Sequence, residues 1–307
     1  MKYPEFHHMT ADDGCTLRYA RWLADSHEKK GVMAVLPGRS EFIEKYAEVA
    51  GELLDRGFDV FILDWRGQGR SCRELANAHK GYVRSFDRYV SDLEAWMATC
   101  VIQAGDGPYY LLSHSMGGNV ALRFLRLREQ DLSGSIRAAV FTAPMMGLRT
   151  DPFPVPVAEM ICRWWVGVGQ GEAYAPGNGD YQANPVFEGN RLTADPERFY
   201  FFHDAIKKQP ELALGGVTYR WLAEAFTSMR RLMEKGVPEK IHVPVLMISA
   251  GADTVVSNLR MSALAARLPR CRYVVIPGAR HEILMEQDVY REQFWSCFDD
   301  FIARTAP

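Results

Sequence analysis

LLSHSMGGNVAL, residues 111–122, decides how the rest of the chain is read. An apolar run ends in a serine-histidine-serine turn, and small residues then open a helical pattern. In a Gly-x-Ser-x-Gly elbow the central serine sits on a sharp strand-to-helix turn that lifts its hydroxyl above the sheet's carboxyl edge. Ser115 and Gly117 hold their places in that pattern, but the first glycine is replaced by Ser113. A serine there adds only one hydroxyl, which is expected to bond locally to the backbone. Gly117 and Gly118 keep the helix side open, so the elbow is expected to work, with Ser115 as the nucleophile. The short pattern is weak by itself, because ordinary turns also match it. Its strand-turn-helix setting gives it weight.

That setting recurs along the chain. GVMAVLP (31–37), FDVFILD (58–64), YYLLS (109–113), IRAAVFTA (136–143), VPVLMISA (243–250) and CRYVVIP (271–277) are short apolar, β-branched runs bounded by Gly, Pro or Asp. Such runs predict strands buried on both faces. Helical patterns separate them at 41–57, 88–105, 117–129 and 259–268, and a last one at 289–304 closes the chain. The alternation predicts an α/β fold with a mostly parallel central sheet and helices on both faces. CTLRYARWL (15–23) is expected to add an antiparallel edge strand. Residues 145–238 break the rhythm, being rich in Trp, Tyr, Phe, Pro and Gly without a buried strand. An insertion of ~90 residues is too long for a loop and predicts a helical lid over the strand ends. The core then comprises 1–144 and 239–307, with the lid at 145–238.

Composition narrows the function. The 307 residues are 48% hydrophobic and 24% charged with a net charge of −2, ordinary for a globular protein and without a basic patch for nucleic acid. The six cysteines show no Cys-x-x-Cys pair and no zinc spacing, and are expected to be free thiols in a reducing compartment. The N-terminal residues lack a secretory apolar core, and no run approaches a membrane span, so a cytoplasmic protein is expected, with peripheral contact at the inner membrane face as an extension.

A serine hydroxyl needs an imidazole to take its proton and a carboxylate to orient that imidazole. In this architecture the order is Ser, acid, His, each after a strand. Asp253 follows the strand of VPVLMISAGADTVV, and His281 follows that of CRYVVIPGARHEIL. His114 is expected to pack beneath the elbow, His7 and His8 to be solvated, and Glu282 to be structural. Oxyanion donors are expected from the backbone amides of Met116, next to the nucleophile, and of Arg39 in the loop LPGRSEF. No metal or organic cofactor is required.

With these residues in view, the chain resembles the lysophospholipase and monoacylglycerol lipase branch of the α/β-hydrolase superfamily, nearest to the bacterial lysophospholipase L2-like enzymes. The resemblance runs through LPGRSEFIEKYAEVAGELLDRGFDVFILDWRGQGRS, SHSMGG, TAPMMG, GGVTYRWLAEA, SAGAD and GARHEIL. It implies Ser115 as nucleophile, Asp253 as acid, His281 as base, and the amides of Arg39 and Met116 as oxyanion donors. Two positions depart from the family pattern: Ser113 replaces glycine, and Pro37 stands where many relatives have histidine. The DWRGQGRS segment (64–71) is similar to the family's loop after the next strand, with Asp64 and Arg66 expected as scaffolding near the oxyanion loop.

The expected reaction is hydrolysis of single-chain lipid esters, lysophospholipid or monoacylglycerol, through an acyl-enzyme. Trp164 and Trp165, with Phe153, Met160 and Ile161, are expected either to line an acyl channel or to form the lid's own core. Arg39 is expected to meet an anionic phosphate if its side chain reaches the pocket. A short-chain esterase, an iminopeptidase-type peptidase or an acyltransferase would use the same triad. A non-catalytic binding protein on this fold is disfavoured because all five catalytic positions are filled. The sequence sets no oligomeric state.

Overall fold

A computed structural model describes residues 3–25, 29–105, 107–127 and 136–305. Its sheet has eight strands, β1 (Glu5–Thr10), β2 (Thr16–Trp22), β3 (Gly31–Leu36), β4 (Phe58–Leu63), β5 (Tyr109–His114), β6 (Ile136–Thr142), β7 (Val245–Ala250) and β8 (Cys271–Ile276). They lie in the order β1-β2-β4-β3-β5-β6-β7-β8. β2 pairs antiparallel with both β1 and β4, and every later pairing is parallel. The α/β expectation holds; the segment expected as an edge strand is antiparallel as β2 but lies one strand in, because β1 pairs outside it.

The central strands carry two cores at once because successive side chains point to opposite faces. In β3, Val32, Ala34 and Leu36 join one apolar cluster while Met33 and Val35 join the other. Helices α1 (Ala47–Asp55) and α8 (Asp288–Thr305) cover the second face through Val49, Leu53, Phe294 and Phe298. Helices α2 (Phe86–Trp96) and α3 (Ser115–Leu127) cover the first through Leu93, Trp96, Val120 and Phe124. Ser85 starts α2 by accepting a hydrogen bond from the Asp87 amide, 3.1 Å away.

Between β6 and β7 the sheet gains no strand. This stretch contains α4 (Val155–Gly167), α5 (Pro196–Lys208) and α6 (Tyr219–Leu232). α4 leans on α6 through Trp165 stacked on Tyr219, with centroids 5.1 Å apart. α5 is tied to the core by Arg198, which donates to Glu48 at 2.7 and 2.8 Å, and by Phe202 stacked on Phe42. α7 (Asn258–Ala265) follows β7.

Two expectations fail. The N-terminal segment forms β1, paired from Glu5↔Arg21 to Thr10↔Thr16, and His7 is half-buried, stacked on Tyr19 at 5.2 Å, while His8 is exposed. The cysteines are not all free: Cys15 and Cys72 form a disulfide, with Cα atoms 5.6 Å apart. Cys72 donates its amide to the Thr16 carbonyl, so the loop after β4 lies alongside the start of β2 and brings the two thiols together. Cys100, Cys162, Cys271 and Cys297 remain thiols, as expected. The cysteine argument for a reducing compartment therefore loses its force. No helix among the described residues is long and apolar enough to cross a membrane.

Two measurements test the disulfide. Thiol titration of the denatured, unreduced protein should find four thiols, and six after reduction. Replacing both Cys15 and Cys72 by serine should lower unfolding stability by about 4 kcal/mol if loop-closure entropy dominates, read from urea denaturation.

Candidate active site

The elbow is built where β5 meets α3. Ser115 has φ +48°, a left-handed conformation that a non-glycine residue adopts only when its surroundings impose it. Those surroundings are packed backbone. A Cβ on Gly117 would stand 2.3 Å from the Leu36 carbonyl oxygen and 2.5 Å from that of Pro37. One on Gly118 would meet Pro144 Cβ at 2.7 Å. Both glycines are thus required by close approach. Ser113 is fully buried, and its hydroxyl has no hydrogen-bond partner among the described residues, contrary to the expected local bond. The serine fits sterically but leaves a polar atom unsatisfied.

Asp253 and His281, from the loops after β7 and β8, converge on Ser115. His281 Nε2 lies 3.0 Å from Ser115 Oγ, and its Nδ1 lies 2.7 Å from Asp253 Oδ2. The other Asp253 oxygen accepts the amides of Val255 at 2.7 Å and Val256 at 3.0 Å. Burial alone would raise the Asp253 carboxyl; the hydrogen bond and charge of His281, helped by the two amides, outweigh it and hold the group below its usual range. All three side chains are buried or nearly so. This is the arrangement in which a carboxylate orients an imidazole against a hydroxyl.

His114 lies beneath the elbow, as expected. Its Nδ1 is 3.1 Å from both the carbonyl and hydroxyl oxygens of Thr142, and its ring is 4.8 Å from that of His281. Burial is the largest cause pushing its pKa down to about 4, so it is neutral at neutral pH.

The loop after β3 is pinned on either side of Arg39. Glu41 accepts the Gly38 amide, while Gln68 donates to the Gly38 carbonyl at 2.9 Å and accepts the Ser40 amide at 3.1 Å. The Arg39 amide is left without an acceptor among the described residues. A Cβ on Gly38 would lie 3.3 Å from Ser115 Cβ, so this loop faces Ser115 closely. Met116 is the second residue of α3, and its amide belongs to the first turn, which has no carbonyl partner within the helix. Two free amides therefore flank Ser115.

Beneath them lies a buried charge bridge. Lys45 Nζ is 2.7 Å from both Glu41 Oε1 and Glu282 Oε1, and Tyr46 donates to Glu41 at 2.7 Å. Burial would lower the lysine, but Glu282 and Glu41 outweigh it and raise the group. Glu282 is structural, as expected. Asp64 accepts the amides of Ile43 at 2.9 Å and Arg70 at 3.0 Å and pairs with Arg18 at 3.1 Å, fixing the chain just beyond the Arg39 loop. Arg66 reaches elsewhere, to Asp92 of α2 at 2.5 and 2.7 Å and to Asp13 at 2.8 Å.

Ser115, Met116 and His281 open into a cavity of about 920 Å³, at the upper end of the range for ligand sites. Phe153 and Ile161 line it, as do Phe199, Phe202, Leu214 and Phe226. Trp164 and Trp165 do not: Trp165 packs on Tyr219, and Trp164 is 60% exposed. Met160 also faces outward. The cavity residues of α5 went unnoticed in the sequence, although the aromatic run in ERFYFFHDAIKK was a signal. No group of His, Cys, Asp and Glu among the described residues could hold a metal ion.

Two substitutions follow. Ser113→Ala should raise stability by about 1 kcal/mol by removing the unsatisfied hydroxyl, with the elbow retained; urea midpoints would check it. The second concerns acid. His114 titrates near 4 when folded and near its ordinary 6.5 when unfolded, so the unfolded chain binds the extra proton in between. Stability attributable to this group is intact above pH 6.5 and falls on acidification toward pH 4, by on the order of 3 kcal/mol. His114→Gln should flatten that part of a stability-against-pH curve.

Comparison with known proteins agrees with this geometry. A family model described as serine aminopeptidase, S33, matches residues 27–288. Lysophospholipase L2 of Escherichia coli is 34% identical over 307 residues, an alignment covering 96% of this chain and 86% of that protein. The probable lysophospholipase L2 of Haemophilus influenzae is 31% identical over 287 residues, covering 93% and 88%. A solved soluble variant of monoglyceride lipase from Saccharomyces cerevisiae superposes with a TM-score of 0.78 at 17% identity, covering 100% of this chain and 97% of that one, a likeness of fold. The chain belongs to the serine aminopeptidase S33 family, in the lysophospholipase and monoacylglycerol lipase-like branch of the α/β-hydrolases.

Proposed function

We propose that this carboxylic-ester hydrolase cleaves single-chain lipid esters through an acyl-enzyme on Ser115. The observation that carries the reading is the hydrogen-bonded line Ser115–His281–Asp253 opening into a largely apolar cavity. Ser115 Oγ attacks the ester carbonyl while His281 Nε2 takes its proton, and Asp253 steadies the imidazolium. The amides of Arg39 and Met116 receive the oxyanion. His281 returns the proton to the departing alcohol, then activates a water that releases the fatty acid and restores Ser115. The names and coverage of the lysophospholipase L2 relatives support a lysophospholipid or monoacylglycerol substrate.

Residues 145–238 serve in this reading as the lid, because their helices and loops supply most of the cavity's apolar wall. On α4, Val157, Met160 and Trp164 recur at three- and four-residue steps and are all exposed. A stripe at that spacing forms one outward helical face, suited to peripheral contact with a membrane surface that presents the lipid. A peptidase reading fits less well: binding a peptide's amino group would call on recessed acidic groups in the cavity, but Glu41 and Glu282 are already matched to Lys45, and Asp151, the other carboxylate of the lining, is exposed.

A fluorophosphonate probe should label wild type and not Ser115→Ala. Ser115→Ala and His281→Ala should each lose roughly 10³-fold or more in turnover of a palmitoyl ester. In an acetyl-to-palmitoyl ester series with proline amides alongside, kcat/KM should rise with chain length. A preference for acetyl esters or amides would overturn the lipid reading, and acylated glycerol formed in place of free acid would point to acyl transfer.

A further inference from the structure

Five cationic side chains line the cavity: Arg39, Lys45, Arg149, Arg191 and Arg198. Lys45 is bracketed by Glu41 and Glu282. Arg198 is paired with Glu48, Asp195 and Asp288. Arg149 and Arg191 are exposed, where water solvates a guanidinium well; Arg191 also donates to Thr254 Oγ1 at 2.9 Å.

Arg39 differs from all four. It is recessed, and its only hydrogen-bond acceptor among the described residues is the Gly215 carbonyl, 3.0 Å from Nη1. The guanidinium lies over the Trp221 ring, 5.8 Å from its centroid. A Cβ on Gly81 would come within 3.3 Å of Nη1, so the side chain is held against that wall. No carboxylate among the described residues pairs with it. Burial, the main cause, draws its pKa down only to about 10, so it stays cationic at neutral pH. A recessed, uncompensated cation is costly in a folding sense and is expected where an anion is to be bound.

Its covalent reach suggests which anion. The guanidinium carbon of an arginine lies as many bonds from its own amide nitrogen as the phosphorus of a 1-acyl lysophospholipid lies from the ester carbonyl carbon. With the oxyanion on the Arg39 amide, the phosphodiester falls within range of the same residue's side chain. A monoacylglycerol offers no charge there. We propose that the Arg39 guanidinium is the phosphate-recognising group of the site, selecting lysophospholipids over neutral monoacylglycerols. This assignment rests on the lipid-ester reading above.

The test compares kcat/KM for palmitoyl lysophosphatidylcholine and monopalmitoylglycerol in mixed micelles of one neutral detergent. In Arg39→Met the ratio of the two should fall about 10- to 100-fold, as for loss of a charge-assisted hydrogen bond, with Arg39→Lys intermediate. Fluorophosphonate labelling and thermal melting establish that each variant is folded with a competent Ser115; if Arg39→Met does not fold, Arg39→Lys and Arg39→Gln supply the ratio. An equal loss on both lipids in folded variants would overturn the proposal while leaving the lipid reading intact. Wild type that hydrolyses neither lipid would overturn both. Glycerophosphocholine should inhibit wild type more strongly than Arg39→Met, and more strongly than inorganic phosphate does. Stronger, Arg39-dependent inhibition by inorganic phosphate would assign the site to free phosphate and dismiss the head-group role.

Discussion

The absence of a side chain at Gly117 lets the start of α3 rest directly against the end of β3. With the Leu36 and Pro37 carbonyls so near, any Cβ there would force the two elements apart. Their contact has two consequences. It holds Ser115 in its left-handed conformation, with the hydroxyl turned out of the sheet, and it brings the Met116 amide beside the loop that carries the Arg39 amide. The placement of the Ser115 hydroxyl and of the two free amides thus derives from one close approach of backbone to backbone. Preorganised donors of this kind need no rearrangement as charge develops on a carbonyl oxygen.

The loop after β3 is then joined to the loop that carries His281 by charge. Glu41 holds the Gly38 amide and Lys45, and Lys45 reaches Glu282, the residue after His281. Each carboxylate alone would be a poorly solvated charge, and the lysine alone likewise, so the three are stable only as a set. That mutual dependence positions Gly38 relative to His281 although the two lie far apart in the sequence. His114, neutral in the same environment, fills the space between without adding a competing charge. Such a network is expensive to bury, and its location directly beneath the reacting groups is what makes it useful.

Much of this was readable from residue order. The central strands are legible because burial on both faces requires continuous apolar runs, and the triad is legible because its members follow three of those runs. β1 was not, since EFHHMT lies at an edge and buries little, leaving no strong apolar pattern. Cys15 and Cys72 carry no spacing signal; they meet because the loop after β4 runs beside β2. The aromatic residues of 145–238 show a different limit. Trp164 and Trp165 are adjacent on a helix and so face different ways, one to solvent and one to Tyr219. The cavity's aromatic wall comes instead from α5, whose position depends on Arg198 reaching Glu48, a contact no local pattern reveals. At Ser113 the steric reading was right and the hydrogen-bond reading was not, because tolerance of a small side chain does not ensure a partner for its hydroxyl.

The parts of the site therefore have separate origins: sheet-end turns and loops supply Ser115, Asp253 and His281, while the helical segment between β6 and β7 supplies most of the apolar wall. Arg39 bridges the two. Its amide belongs to the loop after β3, beside Ser115, and its side chain lies against Gly215 and Trp221 of the other segment. Binding energy accelerates a reaction only to the extent that it is realised in the transition state. If, as proposed, the Arg39 amide meets the oxyanion, a contact made through its side chain is well placed for this, because tightening one end of a short covalent tether orients the other. A displacement of the Gly215 wall would then be felt at the Arg39 amide, and the segment that shapes the cavity would also influence how firmly the oxyanion is held.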